Sequence, residues 1–279
     1  MKITINDDFD LDKIINSGQC FRPKKTGDNT YRFVTGEHIV EITNVSSHSA
    51  ISDPNAPTEL DVSCREKEWN EVWQSYFDLD TDYRKIRAGI PKEDTYLKEA
   101  ASCGAGIRIL RQDRFEMLIS FIISQRKSIP AIRTSVERLV ERYGHDGFFP
   151  NPVELLAATE DDLCACGLGY RVPYVRKATE LVAHKDIDLD ALDDLSDEEL
   201  FGELKSFHGV GDKVANCIAL FAYHRTGRAP VDTWIARVIN EQYAGVNPFP
   251  RYGNVAGIMQ QYMFFRAQGK GQYVSEKTL

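Results

Sequence analysis

The sequence predicts an α+β protein, with an N-terminal antiparallel β domain over residues 1–93 and a mostly helical domain over residues 94–279. Three observations predict it. Apolar and polar residues alternate from Tyr31 to Ile42, the period of a half-buried strand. From about Asp94 the apolar residues recur every three or four positions, the period of an amphipathic helix. Residues 207–212 then read Phe-His-Gly-Val-Gly-Asp between two helical stretches, a tight hairpin that divides the helical part into two subdomains.

In chain order, Ser17-Gly18-Gln19-Cys20-Phe21-Arg22 reads as a turn leading into a strand. Tyr31 and Phe33, a turn at Thr35-Gly36-Glu37, and Ile39, Val40 and Ile42 make a β-hairpin. Residues 46–62, with Pro54 and Pro57, read as a loop. Trp69, Val72, Trp73, Tyr76 and Phe77 form an aromatic stripe at helical spacing, expected in the core rather than as a base-stacking platform. Phe115, Leu118, Ile119 and Ile122 share one helical face, and Ile132, Val136, Leu139, Val140 and Tyr143 share the next, which Gly144 ends. Between them, Ser124-Gln125-Arg126-Lys127-Ser128 is a polar turn with Ser128 as a candidate N-cap. Pro152 suits a first helical turn after Asn151, and Gly167-Leu168-Gly169-Tyr170-Arg171 is a double-glycine turn. Ser196 and Glu199 have the spacing of a capping box, with Leu195 and Leu200 flanking it. The last element, residues 253–265, reads as an amphipathic helix.

The composition sets limits on function. The net charge is −8, at first sight adverse to a nucleic-acid partner. The acids are uneven, however: Asp186, Asp188, Asp190, Asp193, Asp194, Asp197, Glu198 and Glu199 crowd one connection, expected to be a solvated face, whereas residues 107–142 and the stretch after Lys205 are net basic. Phosphate contact is local, so a basic face suffices. No apolar run has membrane-spanning length and the start carries no signal-peptide core, so an intracellular, cytoplasmic or nucleoid location is expected. The six cysteines lack zinc spacing, since Cys164-Ala-Cys166 is too tight, and no metal or other cofactor is expected.

The chemistry concentrates after residue 207. Amides at the His208-Gly209-Val210-Gly211 turn and at the following helix N-terminus suit a phosphate. Lys213 stands at the start of that helix, where the macrodipole disfavours an ammonium and favours a nucleophilic amine. Asp232 follows in Pro230-Val231-Asp232. An amine and a carboxylate are the pair needed to displace a base from a sugar carbon, one attacking and the other steadying positive charge. Each residue also has a plain reading, a solvated lysine and a helix-capping aspartate.

HGVGDKVANCI followed by APVD resembles the helix-hairpin-helix, Gly/Pro-rich, Asp (HhH-GPD) superfamily of DNA glycosylases, and within it most resembles the 8-oxoguanine DNA glycosylases. The resemblance covers nearly the whole chain. It implies a TBP-like N-terminal sheet domain packed on the helical domain, with a lesion pocket between the helical parts. It implies excision of 8-oxoguanine from damaged duplex DNA, strand nicking through a lysine Schiff base, and a monomer. Lys213 and Asp232 match the catalytic pair. The SGQCFR segment is similar to the family's SGQ-FRW, with Pro23 in place of Trp, so the Gly18 carbonyl would accept the N7 hydrogen of the oxidised base. Cys217 and Phe264 would stack on that base and Gln260 would read its Watson–Crick edge. Tyr170 would wedge the duplex and Arg171 would reach the estranged cytosine. Arg126 stands where the family has a gap-filling Asn, and Ala131 where eukaryotic relatives have a second cytosine-reading Arg. His208, Gly209 and Gly211 would hold the backbone. A glycosylase for another oxidised or alkylated base, or a non-enzymatic helix-hairpin-helix module, are the alternatives.

Overall fold

The structure, a computed structural model, describes residues 1–46 and 56–269. The chain forms two compact units: Met1–Phe33, Ile39–Arg111 and the segment from Thr226 onward make the first, and Val34–His38 with Gln112–Arg225 make the second.

A five-stranded antiparallel sheet runs in the order β1-β5-β4-β3-β2, with β1 at Lys2–Ile5, β2 at Lys24–Gly27, β3 at Thr30–Thr35, β4 at His38–Asn44 and β5 at Thr58–Val62. The β3–β4 hairpin is the one expected from the alternation. β5 corrects the reading of residues 46–62 as loop: Thr58 begins a strand in which Leu60 and Val62 are buried. It pairs Thr58 with Ile5 and Val62 with Ile42, so it is held by strands on both sides. The strand is short, and Glu59 and Asp61, poor strand formers, alternate with its buried residues. Pro54 lies outside the described residues. The aromatic stripe is core, as expected. It lies on α2 (residues 66–76), whose middle turn Trp69–Trp73 is a π-helix, and Phe77 meets Phe33 at 5.0 Å and Phe9 at 5.4 Å between ring centroids.

The first helix, α1 (Leu11–Asn16), is capped by Asp10, whose carboxylate accepts from the Lys13 N–H at 3.0 Å. Gly18 follows its C-cap with φ of 83°, a left-handed conformation that favours glycine. Next to it Gln19 is fully buried: its Nε2 donates to the Arg108 carbonyl and to Ser17 Oγ, both at 2.8 Å, and its Oε1 accepts from the Leu110 N–H at 2.8 Å. Gln19 therefore fixes the segment that presents Gly18, a role that its place in a short polar turn did not reveal.

The rest of the first unit is helical: α3 (Tyr83–Ala88), α4 (Thr95–Cys103), α12 (Thr233–Gln242) and α13 (Ala256–Ala267). The expected helix from Gly253 begins instead at Ala256, because Gly253 has φ of 53° and ψ of −128° within a 3-10 segment, Phe249–Val255. Nor is it amphipathic, since every residue from Ala256 to Met263 is buried. Asp94 caps α4 through the Leu97 N–H at 3.1 Å and also accepts from Tyr243 at 2.9 Å and from Arg251 and Tyr252, tying α4 to α12 and to the 3-10 segment.

The second unit comprises α5 (Arg114–Ser124), α6 (Ile129–Tyr143), α7 (Pro152–Leu156), α8 (Glu160–Ala165), α9 (Val172–Ala183), α10 (Asp197–Ser206) and α11 (Asp212–Phe221). Gly144 ends α6 and Asn151 opens α7 with a full capping box, as does Ser196 with Glu199 for α10. Ser128 occupies the N-cap position of α6 without a side-chain cap bond. Phe121 of α5 stacks on Phe221 of α11 at 5.5 Å and 16°. The acidic connection is more than a solvated face: Arg114 binds Asp190 and Asp193, and Arg225 binds Asp193 and Asp197. Among the described residues no helix is long and apolar enough to cross a membrane.

Candidate active site and nucleic-acid interface

The hairpin joins α10 to α11 as the glycine spacing suggests, but the two glycines serve different ends. Gly209 has φ of 83°, and a Cβ there would lie 2.5 Å from the Tyr174 ring. Gly211 has an ordinary φ of −96°, and a Cβ on it would meet nothing within 4 Å. Its role in the fold is that of an N-cap with no side chain. No side chain caps α11, so the first-turn amides, which have no acceptor within the helix, stay available to an external oxygen. His208 is exposed and packs its ring edge-on to Tyr174 at 4.7 Å.

Gly209→Ala is expected to destabilise the fold, by about 1–2 kcal/mol for the left-handed backbone and a further 1–3 kcal/mol or so for displacing the Tyr174 ring. Gly211→Ala should lower the urea midpoint far less, since only a weak N-cap is exchanged, and weaken duplex binding. Equal loss of stability in the two variants would contradict this division of labour.

Lys213 is the second residue of α11, half-buried, with its Nζ 5.5 Å from the centroid of the Phe121 ring. Cys217, four residues on, is buried on the same face. Asp232 is the N-cap of α12, its Oδ1 accepting from the Ile235 N–H at 2.9 Å. The capping expected of Asp232 is thus real, and it leaves Oδ2 for other work. Lys213 and Cys217 belong to the second unit, and Asp232 and Gly18 to the first. Gln260 and Phe264 share a face of α13 in the first unit; Gln260 is buried with its Oε1 accepting from Gln261 Nε2 at 3.1 Å, and Phe264 is half-buried.

The second unit brings together the remaining predicted contacts. Tyr170 and Arg171 lie in a 3-10 turn, Gly169–Arg171, with Tyr170 51% exposed. Arg171 is buried and turned onto main chain, its Nε donating to the Gln125 carbonyl at 2.9 Å and its guanidinium also to the Leu168 carbonyl at 3.1 Å. Its plane covers the Tyr170 ring at 4.3 Å. Arg126 is exposed with φ of 52°, the left-handed region that Asn enters readily and Arg rarely. Tyr170 meets Tyr174 at 6.1 Å and Tyr174 meets His208, so an aromatic row runs from this turn to the hairpin. Nothing in the sequence around Lys127 singles it out. Its Nζ donates to Ser135 Oγ and to the Gly167 carbonyl, both at 2.6 Å, and burial, then the charges of Arg171 and Arg138, hold its pKa below the usual lysine value.

An uncapped helix after a glycine hairpin, with a lysine in its first turn and exposed aromatic and basic loops beside it, defines the helix-hairpin-helix class of nucleic-acid-binding proteins. Comparison with known proteins narrows the class. Residues 2–118 match the 8-oxoguanine DNA glycosylase N-terminal domain, and residues 119–261 match the HhH-GPD superfamily base excision DNA repair proteins. The chain is 28% identical to the probable N-glycosylase/DNA lyase of Methanothermobacter thermautotrophicus, over 97% of both chains. Among solved structures it is similar to MBOgg1 in complex with a low-affinity DNA ligand, at 31% identity and a TM-score of 0.86, covering 97% of this chain and 96% of that one. It is also similar to the Clostridium acetobutylicum 8-oxoguanine glycosylase/lyase bound to double-stranded DNA with cytosine opposite 8-oxoguanine, at 31% identity and a TM-score of 0.84, covering 97% and 98%. This chain belongs to the 8-oxoguanine DNA glycosylase family of the HhH-GPD superfamily.

Proposed function

We propose that this protein is a base-excision-repair enzyme that removes 8-oxoguanine from duplex DNA and nicks the strand at the resulting site. The observation that carries the proposal is Lys213 in the first turn of the uncapped helix α11. The free amides of that turn would take a backbone phosphate while the amine of Lys213 attacks the sugar. Attack at the anomeric carbon forms a C–N bond as the bond to the base breaks, and the base leaves with the electron pair. Ring opening gives an imine. Loss of a proton from the adjacent sugar carbon then expels the 3′ phosphate, and water releases the lysine. No oxidant or reductant is consumed. The Asp232 carboxylate steadies positive charge on the sugar.

Gly18 would accept the N7 hydrogen that only the oxidised base carries; normal guanine would set two acceptors against each other, at a cost of about 1–3 kcal/mol. Cys217, Phe264 and Gln260 would enclose and read that base. His208, Gly209 and Gly211 would hold the strand, Tyr170 would wedge it and Arg126 would fill the gap. The damaged duplex as partner, a monomeric state and action in the compartment holding the genome belong to the same reading, as does a functional division into residues 1–93 and 94–279. Single-turnover cleavage across duplexes with 8-oxoguanine, other oxidised bases and alkylated bases tests it; faster release of any other base would refute the substrate.

Discrimination at the opposite base should be weaker than in eukaryotic relatives that read the cytosine with two arginines. Arg171 would supply one contact, but Ala131, exposed in the first turn of α6, offers no donor for the second. A bidentate arginine contact is worth about 1–3 kcal/mol of discrimination, so Ala131→Arg should raise the preference for cytosine by about tenfold or more. The check is excision opposite each of the four bases; a strong cytosine preference that Ala131→Arg leaves unchanged would place the reader elsewhere.

A further inference from the structure

The two loops that carry Arg126 and Tyr170 are joined at both ends of a reciprocal contact. From the turn after α5, Lys127 reaches across to the Gly167 carbonyl at 2.6 Å and to Ser135 Oγ of α6 at 2.6 Å. From the glycine turn, Arg171 reaches back to the Gln125 carbonyl at 2.9 Å. Each loop thus gives one cation and receives one, and Arg126 is held between the two fixed points with its exposed side chain on a left-handed backbone. Tyr170 also directs its hydroxyl to the Gln125 carbonyl, at 3.5 Å. Gly167 has φ of 83°, and a Cβ there would crowd Ser135 Oγ at 3.3 Å, so the carbonyl that Lys127 grips is itself presented by a position that favours glycine.

We propose that Lys127 is a positioning residue that, with Arg171, clasps the gap-filling and wedge loops into one rigid unit, so that Arg126 and Tyr170 enter the duplex together. The proposal rests on the reading of this chain as a glycosylase that extrudes a base. It deepens that reading: the clasp acts on the space and partner left behind, while Lys213 and Asp232 act on the sugar. A clasp of this kind matters when the lesion is paired and the duplex must be held open. It matters little when nothing stands opposite the lesion, because extrusion then costs least.

The experiment measures single-turnover excision of 8-oxoguanine opposite cytosine and opposite a base-free tetrahydrofuran residue, with borohydride trapping in the same reactions. Lys127→Met keeps the stem and removes the donors. Loss of a charge-assisted bond should slow the cytosine duplex by about tenfold or more and leave the base-free duplex within about twofold. Lys127→Arg, which retains donors, should restore most of the cytosine rate, and Lys127→Ala, which also removes the donors, supplies the same rate ratio if the Met variant does not fold. Equal slowing on both duplexes would mark a phosphate contact or a general structural role and overturn the clasp, as would unchanged rates on both. Absence of trapping by the unsubstituted protein would overturn the glycosylase reading and the clasp with it.

Discussion

Lys213→Gln is expected to reduce the borohydride-trapped protein–DNA adduct to background on a duplex containing 8-oxoguanine. Trapping requires an amine that forms an imine with the opened sugar, and a carboxamide nitrogen cannot do so. The variant should fold: Lys213 is only half-buried, and the contact of its Nζ with the Phe121 ring, 5.5 Å from the centroid, is worth about 0.5–1 kcal/mol. Phe121 keeps its stacking partner Phe221 in the variant. The hairpin and the first-turn amides of α11 are also untouched, so duplex affinity should persist while the adduct disappears. Undiminished trapping would move the nucleophile to another lysine and remove the main support for the mechanism.

Asp232→Asn should lower base excision by about 10²–10³-fold, the usual cost of deleting one preorganised electrostatic partner of the transition state. Stability should be preserved, because Asn caps a helix as well as Asp does. The Oδ1 that accepts from the Ile235 N–H has an equivalent in the carboxamide. Asp232→Ala is the informative companion: it deletes the cap as well, and should lose a further 1 kcal/mol or so of stability. Excision rates and urea midpoints of the two variants separate the charge from the cap. An Asn variant that retains full activity, or one that unfolds like the Ala variant, would leave capping as the sole role of Asp232.

Those two residues show how far local pattern reaches. Helix periods, the capping box at Ser196, the helix start after Asn151, the β3–β4 hairpin and the hairpin at 207–212 are settled within a few residues of one another, and the sequence alone located them. The capping of α12 by Asp232 was legible for the same reason. The resemblance of HGVGDKVANCI and APVD to the glycosylases indicated the family, to which the chain does belong.

Tertiary structure decided what depends on distant partners. β1 and β5 exist because Lys2–Ile5 pairs with Thr58–Val62, more than fifty residues away, and neither segment is long or apolar enough to announce itself. The burial of α13 on all sides, and its start at Ala256, follow from what surrounds it and from the backbone at Gly253 rather than from its own polarity pattern. Gln19 looked like one more polar residue in a turn until the Arg108 carbonyl and the Leu110 N–H, ninety residues on, were seen to need it. Arg171 and Lys127 stand in polar turns, and only the fold shows that their donors bind main-chain carbonyls and a serine hydroxyl of neighbouring segments. A charged side chain's partner is set by which acceptors lie within about 3 Å in the folded chain, and that information is absent from the order of residues near it.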